Sequence, residues 1–220
     1  MKHFCNYLNR YKFIFIWTFI FTFVCHGLLL LSDYVGIDTS EAIMTKGSNH
    51  YFVCLNMGRQ SLVFIKWITD TLLINPYVVG VMSLVFLWFS GILWTYLFSY
   101  VTNNDSAKAV PFANFIYISC VLFVETFYFK VQCTEFTIDF CLIALSLLWT
   151  LYFIDTKKIK YFIGTVLLML IYMGTYQALT IPYIIGAQIL FFLIFFFKKS
   201  SYDYKEIWSV ILKFIFSFFP

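Results

Sequence analysis

The feature that most constrains this chain is a series of apolar runs, several of them long enough to cross a lipid bilayer. The first two, residues 13–31 and 77–101, flank a long polar interval. A hydrocarbon core about 30 Å thick requires about 20 consecutive apolar residues in a helix. Only 12% of the residues are charged and 62% are hydrophobic, whereas soluble domains carry roughly 25% charge. Lipid is therefore expected to surround most of the chain.

The pattern predicts an all-α, polytopic transmembrane protein with about six complete spans and a truncated seventh. The first span follows a basic flank and has no small-x-small cleavage site, so it is interpreted as uncleaved. Residues 1–220 are then a single transmembrane domain, expected to be the N-terminal fragment of a longer protein. The expected spans are 13–31, 77–101, 111–128, one ending at 154, 161–176 and one ending at 197, with 207–220 opening the seventh.

The distribution of Lys and Arg over alternate loops predicts the orientation. Ten basic residues fall on one side and four on the other, and the richer side is expected to be cytoplasmic. The N-terminus is then cytoplasmic, and the loop 32–75 faces outward. The ten are Lys2, Arg10, Lys12, Lys108, Lys157, Lys158, Lys160, Lys198, Lys199 and Lys205, and the four are Lys46, Arg59, Lys66 and Lys130.

The outer loop 32–75 is predicted to contain an interfacial helix. Residues 60–74 are mostly apolar but carry Lys66 and Asp70, and they are too short and too charged to cross a bilayer. Lys66 and Asp70 are four residues apart, so they are expected to pair on one helical face while apolar neighbours face lipid or protein.

Ionisable groups near the membrane gather on the predicted outer side, which favours a functional cavity there because such groups are costly in lipid. Several have a structural interpretation as well. Asp38 and Glu41 match a capping box before a short helix, and Lys130 could pair with Glu125 or Glu135. The ionisable members are Asp33, Asp38, Glu41, Arg59, Glu125, Lys130, Glu135 and Asp139, and the polar Gln177 is expected beside them.

Several classes of site have no support in the sequence. There is no Gly-rich phosphate loop, no HExxH and no Ser-His-Asp arrangement, and the cysteines and histidines lack metal-ligand spacing. No metal ligands, soluble cofactor or nucleic-acid partner are predicted, and a divalent-metal requirement stays open. The lipid bilayer is the partner that composition itself indicates.

The order of short motifs resembles a known family. An uncleaved first span precedes an outer loop with residues 37–41, Ile-Asp-Thr-Ser-Glu, and a Gly58-Arg59 pair before an interfacial helix. A turn at 129–139 and the segment 174–177, Gly-Thr-Tyr-Gln, followed by Ile-Pro, come later. Together these are similar to the N-terminal part of the Gtr type II O-antigen glucosyltransferases, which are polytopic enzymes of the GT-C class. The resemblance extends over nearly all of the chain.

The resemblance implies a membrane glycosyltransferase that moves a sugar, glucose by analogy, from a polyprenyl-phosphate carrier to a cell-surface polysaccharide such as O-antigen. It implies the bacterial cytoplasmic (inner) membrane and an outward-facing active loop. An acid of the first outer loop acts as base in such enzymes, which points by position to Asp38. Members often have two adjacent acids there, whereas here Glu41 lies three residues on, so Asp33, Asp38 and Glu41 all stay candidates.

Elementary chemistry assigns the remaining roles. A guanidinium stabilises a leaving phosphate in two-pronged fashion, so Arg59 is the first candidate for donor binding and Lys130 the second. A lipid-linked donor also accounts for the absence of a nucleotide motif. The predicted supporting or substrate-binding residues are Asp33, Glu135, Asp139, Tyr176 and Gln177.

Two other functions are compatible with the same residues. A transporter or flippase of glycan precursors could use Glu125, Glu135 and Asp139 along a translocation path, although the acids lie near one end and no inverted repeat is visible. A non-catalytic membrane subunit is the third possibility.

Overall fold

The structure is a computed structural model that describes residues 2–31, 48–69, 76–102, 109–128, 132–198 and 212. Within these residues the chain is helical and has no strand. The α-helices are α1 (Lys2–Leu31), α2 (Ser48–Asn56), α3 (Gln60–Thr69), α4 (Pro76–Thr102), α5 (Ala109–Ile118), α6 (Leu122–Tyr128), α7 (Cys133–Thr156), α8 (Ile159–Thr175) and α9 (Thr180–Lys198). A 3₁₀ turn, Gln177–Leu179, joins α8 to α9.

Four segments of the described chain are long and apolar enough to cross a membrane. They are His3–Leu28, Tyr77–Thr102, Cys133–Thr156 and Gln177–Phe195. Each coincides with an expected span, which supports a polytopic membrane protein. Helix α8 is also apolar but has only 17 residues, near the lower limit for a crossing. The expected seventh span lies outside the described residues apart from Leu212.

The expected third span, 111–128, is not one helix. It divides into α5 and α6, and residues 119–121 between them are not helical. The carbonyl of Ile118, at the end of α5, accepts a hydrogen bond from Nε2 of the buried His26 at 2.8 Å. The backbone N–H of Phe123 donates to the carbonyl of Cys120 at 3.1 Å. These bonds satisfy backbone groups that the break would otherwise leave without partners.

Helices α4 and α7 form the centre of the bundle, with α8 and α9 packed on one side and α1 and α5 on the other. Their contact surface is apolar, and Leu97, Leu147 and Tyr183 are fully buried in it. Close approach depends on small residues at particular points. A Cβ at Gly91 of α4 would lie 1.8 Å from Oδ1 of Asn114 on α5, so no larger residue fits there without movement.

The helix ends divide into two sets. At one end, Phe4 of α1 contacts Tyr96 near the end of α4, with ring centroids 4.9 Å apart. Tyr100 of α4 donates a hydrogen bond to Asp155 near the end of α7 at 2.6 Å. We call this the basic end, because its described cations are Arg10, Lys12, Lys157, Lys158, Lys160 and Lys198.

The opposite end, which we call the loop end, joins the start of α4 to the start of α7. The hydroxyls of Ser83 and Thr134 are hydrogen-bonded at 2.9 Å, and Thr134 also donates to the carbonyl of Val79 at 3.0 Å. The described charges of the predicted outer side, Arg59, Lys66, Glu125, Glu135 and Asp139, lie toward this end. The grouping agrees with the one made from the loops, and which end faces outward stays a prediction.

Candidate functional site

The turn between α2 and α3 sets the position of Arg59. Gly58 has φ +78°, a left-handed conformation that favours glycine. Its N–H donates to the carbonyl of Leu55 at 3.0 Å, and the N–H of Arg59 donates to the carbonyl of Cys54 at 2.9 Å. The Gly-Arg pair therefore ends α2 and begins the next helix with the Arg59 side chain at a defined place.

Arg59 lies over an aromatic ring contributed by the far end of α8. Its guanidinium carbon is 4.7 Å from the centroid of Tyr176, within the range of a cation–π contact. Phe136 of α7 meets the same Tyr176 ring edge-on at 5.3 Å. Arg59 is only half-buried, and among the described residues no carboxylate lies within 4.0 Å of it. Within the described part of the chain, its charge is thus contacted by an aromatic ring and by no carboxylate.

Helix α3 packs closely on the end of α8. Ser61 donates a hydrogen bond to the carbonyl of Leu170 at 3.5 Å. A Cβ at Gly174 would be 2.4 Å from Oγ of Ser61, and one at Gly58 would be 3.3 Å from Nε2 of Gln177. The Gly58-Arg59 pair and the Gly-Thr-Tyr-Gln segment are therefore in direct contact, although more than a hundred residues separate them.

A buried ion pair fastens the other half of α3 to α7. The Nζ atom of Lys66 lies 2.7 Å from Oε1 of Glu135, and their side chains are 5% and 1% exposed. The expected partner of Lys66 was Asp70, which lies outside the described residues. The Lys66–Asp70 pair and the interfacial helix stay predictions, and the structure adds that Lys66 points into the bundle, where Glu135 compensates its charge.

Asp139 lies one helical turn further into α7 than Glu135 and is completely buried. The sequence places both on one helical face. Among the described residues, neither carboxyl oxygen of Asp139 has a hydrogen-bond partner. The neighbouring Thr175 hydroxyl donates to the carbonyl of Ile171 at 3.1 Å instead. A buried polar group without a partner is costly, so this carboxyl is an unusual feature of the loop end.

The other candidates from the sequence are less well placed or not described. Glu125 is exposed on α6 and takes no part in the contacts around Lys66. The acids Asp33, Asp38 and Glu41 and the cation Lys130 lie outside the described residues. In the described part of the chain, no group of three or more His, Cys, Asp or Glu side chains could hold a metal ion.

The structure thus brings Arg59, Glu135, Asp139, Tyr176 and Gln177 to the loop end, as sequence reasoning grouped them. Sequence reasoning missed Lys66 and Ser61 as the residues that hold α3 in place. The signal for Lys66 was a lysine inside an apolar stretch, which demands a buried partner. The local spacing rule indicates the nearest acid in sequence, Asp70, and gives no sign of Glu135, which lies on another helix.

Comparison with known protein families leads to the same family that the sequence motifs resemble. The family model described as "Glucosyl transferase GtrII" matches residues 27–220. The chain belongs to this family. The match contains the predicted outer loop, the α2–α3 segment and the ends of α7 and α8, so all the candidate site residues lie within it. No curated protein and no solved structure matched the chain significantly. Membership of the GtrII family supports a glucosyltransferase.

Proposed function

We propose that this GtrII member transfers glucose from a polyprenyl-phosphate carrier to a cell-surface polysaccharide, such as O-antigen, at the outer face of the bacterial inner membrane. The observation that carries the proposal is Arg59, which is fixed over Tyr176 at the loop end and faces no described carboxylate. A membrane-embedded carrier would present its phosphate at this level while its chain stays in lipid. The sugar arrives attached to the lipid, so the proposal needs no soluble cofactor.

In the proposed reaction, an acceptor hydroxyl oxygen attacks the anomeric carbon of the glucose. The bond between that carbon and the phosphate oxygen breaks, and the electron pair leaves with the polyprenyl phosphate. Arg59, with Lys130 as a second cation, stabilises the charge that grows on the phosphate. The hydroxyl proton passes to a carboxylate of the outer loop, for which Asp38 is the first candidate and Glu41 and Asp33 are the others.

Residues around Arg59 have supporting roles in this proposal. Tyr176 orients the guanidinium, and the Gln177 side chain lies close to Gly58, where it would contact any added Cβ. Glu135 secures α3 through Lys66. Asp139 lies behind this layer and keeps a polar group beneath the site.

The test is transfer of labelled glucose from polyprenyl-phosphate glucose to polysaccharide in membranes containing the protein in its native full-length form. Arg59→Gln should lower the rate by about 10²-fold, the usual effect of removing one group that stabilises developing charge. Arg59→Lys keeps the charge and should lose less. Lys158→Gln removes an exposed charge at the basic end and should leave the rate unchanged.

Asp38→Asn tests the base in the same assay and should abolish transfer while the protein still inserts in the membrane. Full activity in Arg59→Gln would refute the role in phosphate binding. Movement of the lipid-linked sugar across the membrane without covalent transfer would refute the transferase proposal and favour transport.

A further inference from the structure

A cavity of about 250 Å³ opens at the basic end, far from the GtrII candidate site. It lies between one face of α1 and the last turns of α4. Its lining residues are His3, Asn6, Tyr7, Arg10, Tyr11, Tyr96, Ser99 and Tyr100. The α1 members recur at intervals of three and four residues, so a single helical face forms one wall. None of the functions discussed above uses this cavity.

The α1 wall is rich in hydrogen-bond donors suited to an anion. His3, Asn6 and Arg10 are exposed side chains that line the opening. Each can donate a hydrogen bond, and a guanidinium matches a phosphate group in two-pronged fashion. The Arg10 guanidinium lies 5.6 Å from the centroid of Tyr11, a contact that limits its orientations. Among the described residues, no Asp or Glu side chain lines the cavity.

The α4 wall has the opposite character. The Tyr100 hydroxyl already donates to Asp155 at 2.6 Å, so toward the cavity its oxygen can only accept. The nearby carboxylate of Asp155 also favours a donor or a positive group on that side. A ligand that carries phosphate at one end and an ammonium or hydroxyl group beside it therefore fits the two walls better than a bare phosphate.

The surroundings indicate a lipid as the source of that phosphate. Tyrosines concentrate here, as they do where helices leave the hydrocarbon core. Beyond the cavity α1 presents an apolar face to its surroundings, with Phe13 69% and Trp17 64% exposed. Acyl chains anchored by a head group in the cavity would run along that face. The volume is below the 300–1,000 Å³ typical of sites for drug-sized ligands, which suits a head group.

We propose that the cavity binds the head group of a phospholipid, with the phosphate against Arg10 and His3 and the ammonium or hydroxyl group toward Tyr100. Phosphatidylethanolamine is the probe, since its head group carries both parts. The protein in delipidated detergent micelles is titrated with this lipid, and bound lipid is counted by native mass spectrometry. The proposal does not depend on the reaction at the loop end.

Arg10→Gln should weaken binding about tenfold or more, the loss expected when a hydrogen bond to a charged group is removed. The matched control is Lys12→Gln. It removes one positive charge two residues from Arg10, and the Lys12 side chain does not line the cavity. Its affinity should stay within about twofold of the wild type, since surface changes away from a site have small effects. Equal losses in the two variants would overturn the proposal.

His3→Gln is a second variant at an exposed position, which keeps the test usable if Arg10→Gln does not fold. It should also weaken binding, and an unchanged affinity in both variants would overturn the proposal. Diacylglycerol with the same acyl chains lacks the phosphate and should not bind, so equal binding would also overturn it. Excess inorganic phosphate should leave the bound lipid in place, and complete displacement would assign the site to free phosphate instead.

Discussion

The ion pair between Lys66 and Glu135 gives the sharpest test of how helix α3 is attached to the rest of the bundle. Both side chains are almost fully buried, and Nζ and Oε1 are 2.7 Å apart. Removing one partner leaves the other charge buried without compensation, which costs about 3–5 kcal/mol. An exposed pair of the same geometry contributes only about 0–1 kcal/mol. The burial therefore decides the expected size of the effect.

Three variants separate the charge from the packing. Glu135→Gln and Lys66→Met should each lower the free energy of unfolding by about 3–5 kcal/mol, because each leaves one unpaired charge. The double variant Lys66→Met/Glu135→Leu removes both charges and keeps apolar volume, so it should be close to the wild type or more stable. The two changes are then strongly non-additive, as expected for residues in contact.

The free energy of unfolding can be measured by titrating the purified protein with sodium dodecyl sulfate in mixed micelles, with Trp fluorescence as the signal. Trp67 adjoins Lys66 and reports on α3 directly. Glu125→Gln is the matched control, because Glu125 is an exposed carboxylate toward the same end, and it should change stability by less than about 0.5 kcal/mol. Costs below about 1 kcal/mol for both single variants would refute the reasoning. A double variant less stable than either single one would refute it too.

Two glycine contacts yield further predictions in the same unfolding assay. Gly174→Ala places a Cβ 2.4 Å from Oγ of Ser61 and should lower the free energy of unfolding by about 1–3 kcal/mol. Adding Ser61→Gly should restore most of the lost stability. A lack of recovery would contradict the contact between Gly174 and Ser61. Gly91→Ala, with a Cβ 1.8 Å from Oδ1 of Asn114, should cost at least as much, whereas Gly27→Ala, whose nearest neighbour is 4.0 Å away, should be neutral or stabilising. Equal changes in stability for Gly91→Ala and Gly27→Ala would contradict the close packing of α4 against α5.

The sequence was sufficient for the features that depend on local apolar length. The four long helices coincide with expected spans, because crossing a bilayer needs a run of apolar residues that is visible without any tertiary information. The break of the third span was not visible. No Gly or Pro marks residues 119–121, and His26, which donates to the buried Ile118 carbonyl, is 92 residues away in the sequence.

Contacts between residues that are distant in the sequence were also not visible at the candidate site. Sequence reasoning grouped Arg59, Glu135, Asp139 and Tyr176 by the side of the membrane they share, which is a property of topology. Which residues touch is a property of packing between helices. The expected pair of Lys66 and Asp70 follows a local rule and stays a prediction, whereas the observed ion pair joins Lys66 to Glu135, 69 positions away.

Arg59 and Lys66 of the α2–α3 segment illustrate how the fold separates attachment to the bundle from the proposed binding of an anion. Arg59 and Lys66 are seven residues apart, about two turns or roughly 10 Å along a helix, so they project from similar faces of the segment. Lys66 is buried and its charge is compensated by Glu135. Arg59 is half-buried, rests on Tyr176 and faces no described carboxylate. Because the ion pair fixes one part of helix α3, it also fixes where the Arg59 guanidinium can meet the phosphate of the proposed donor.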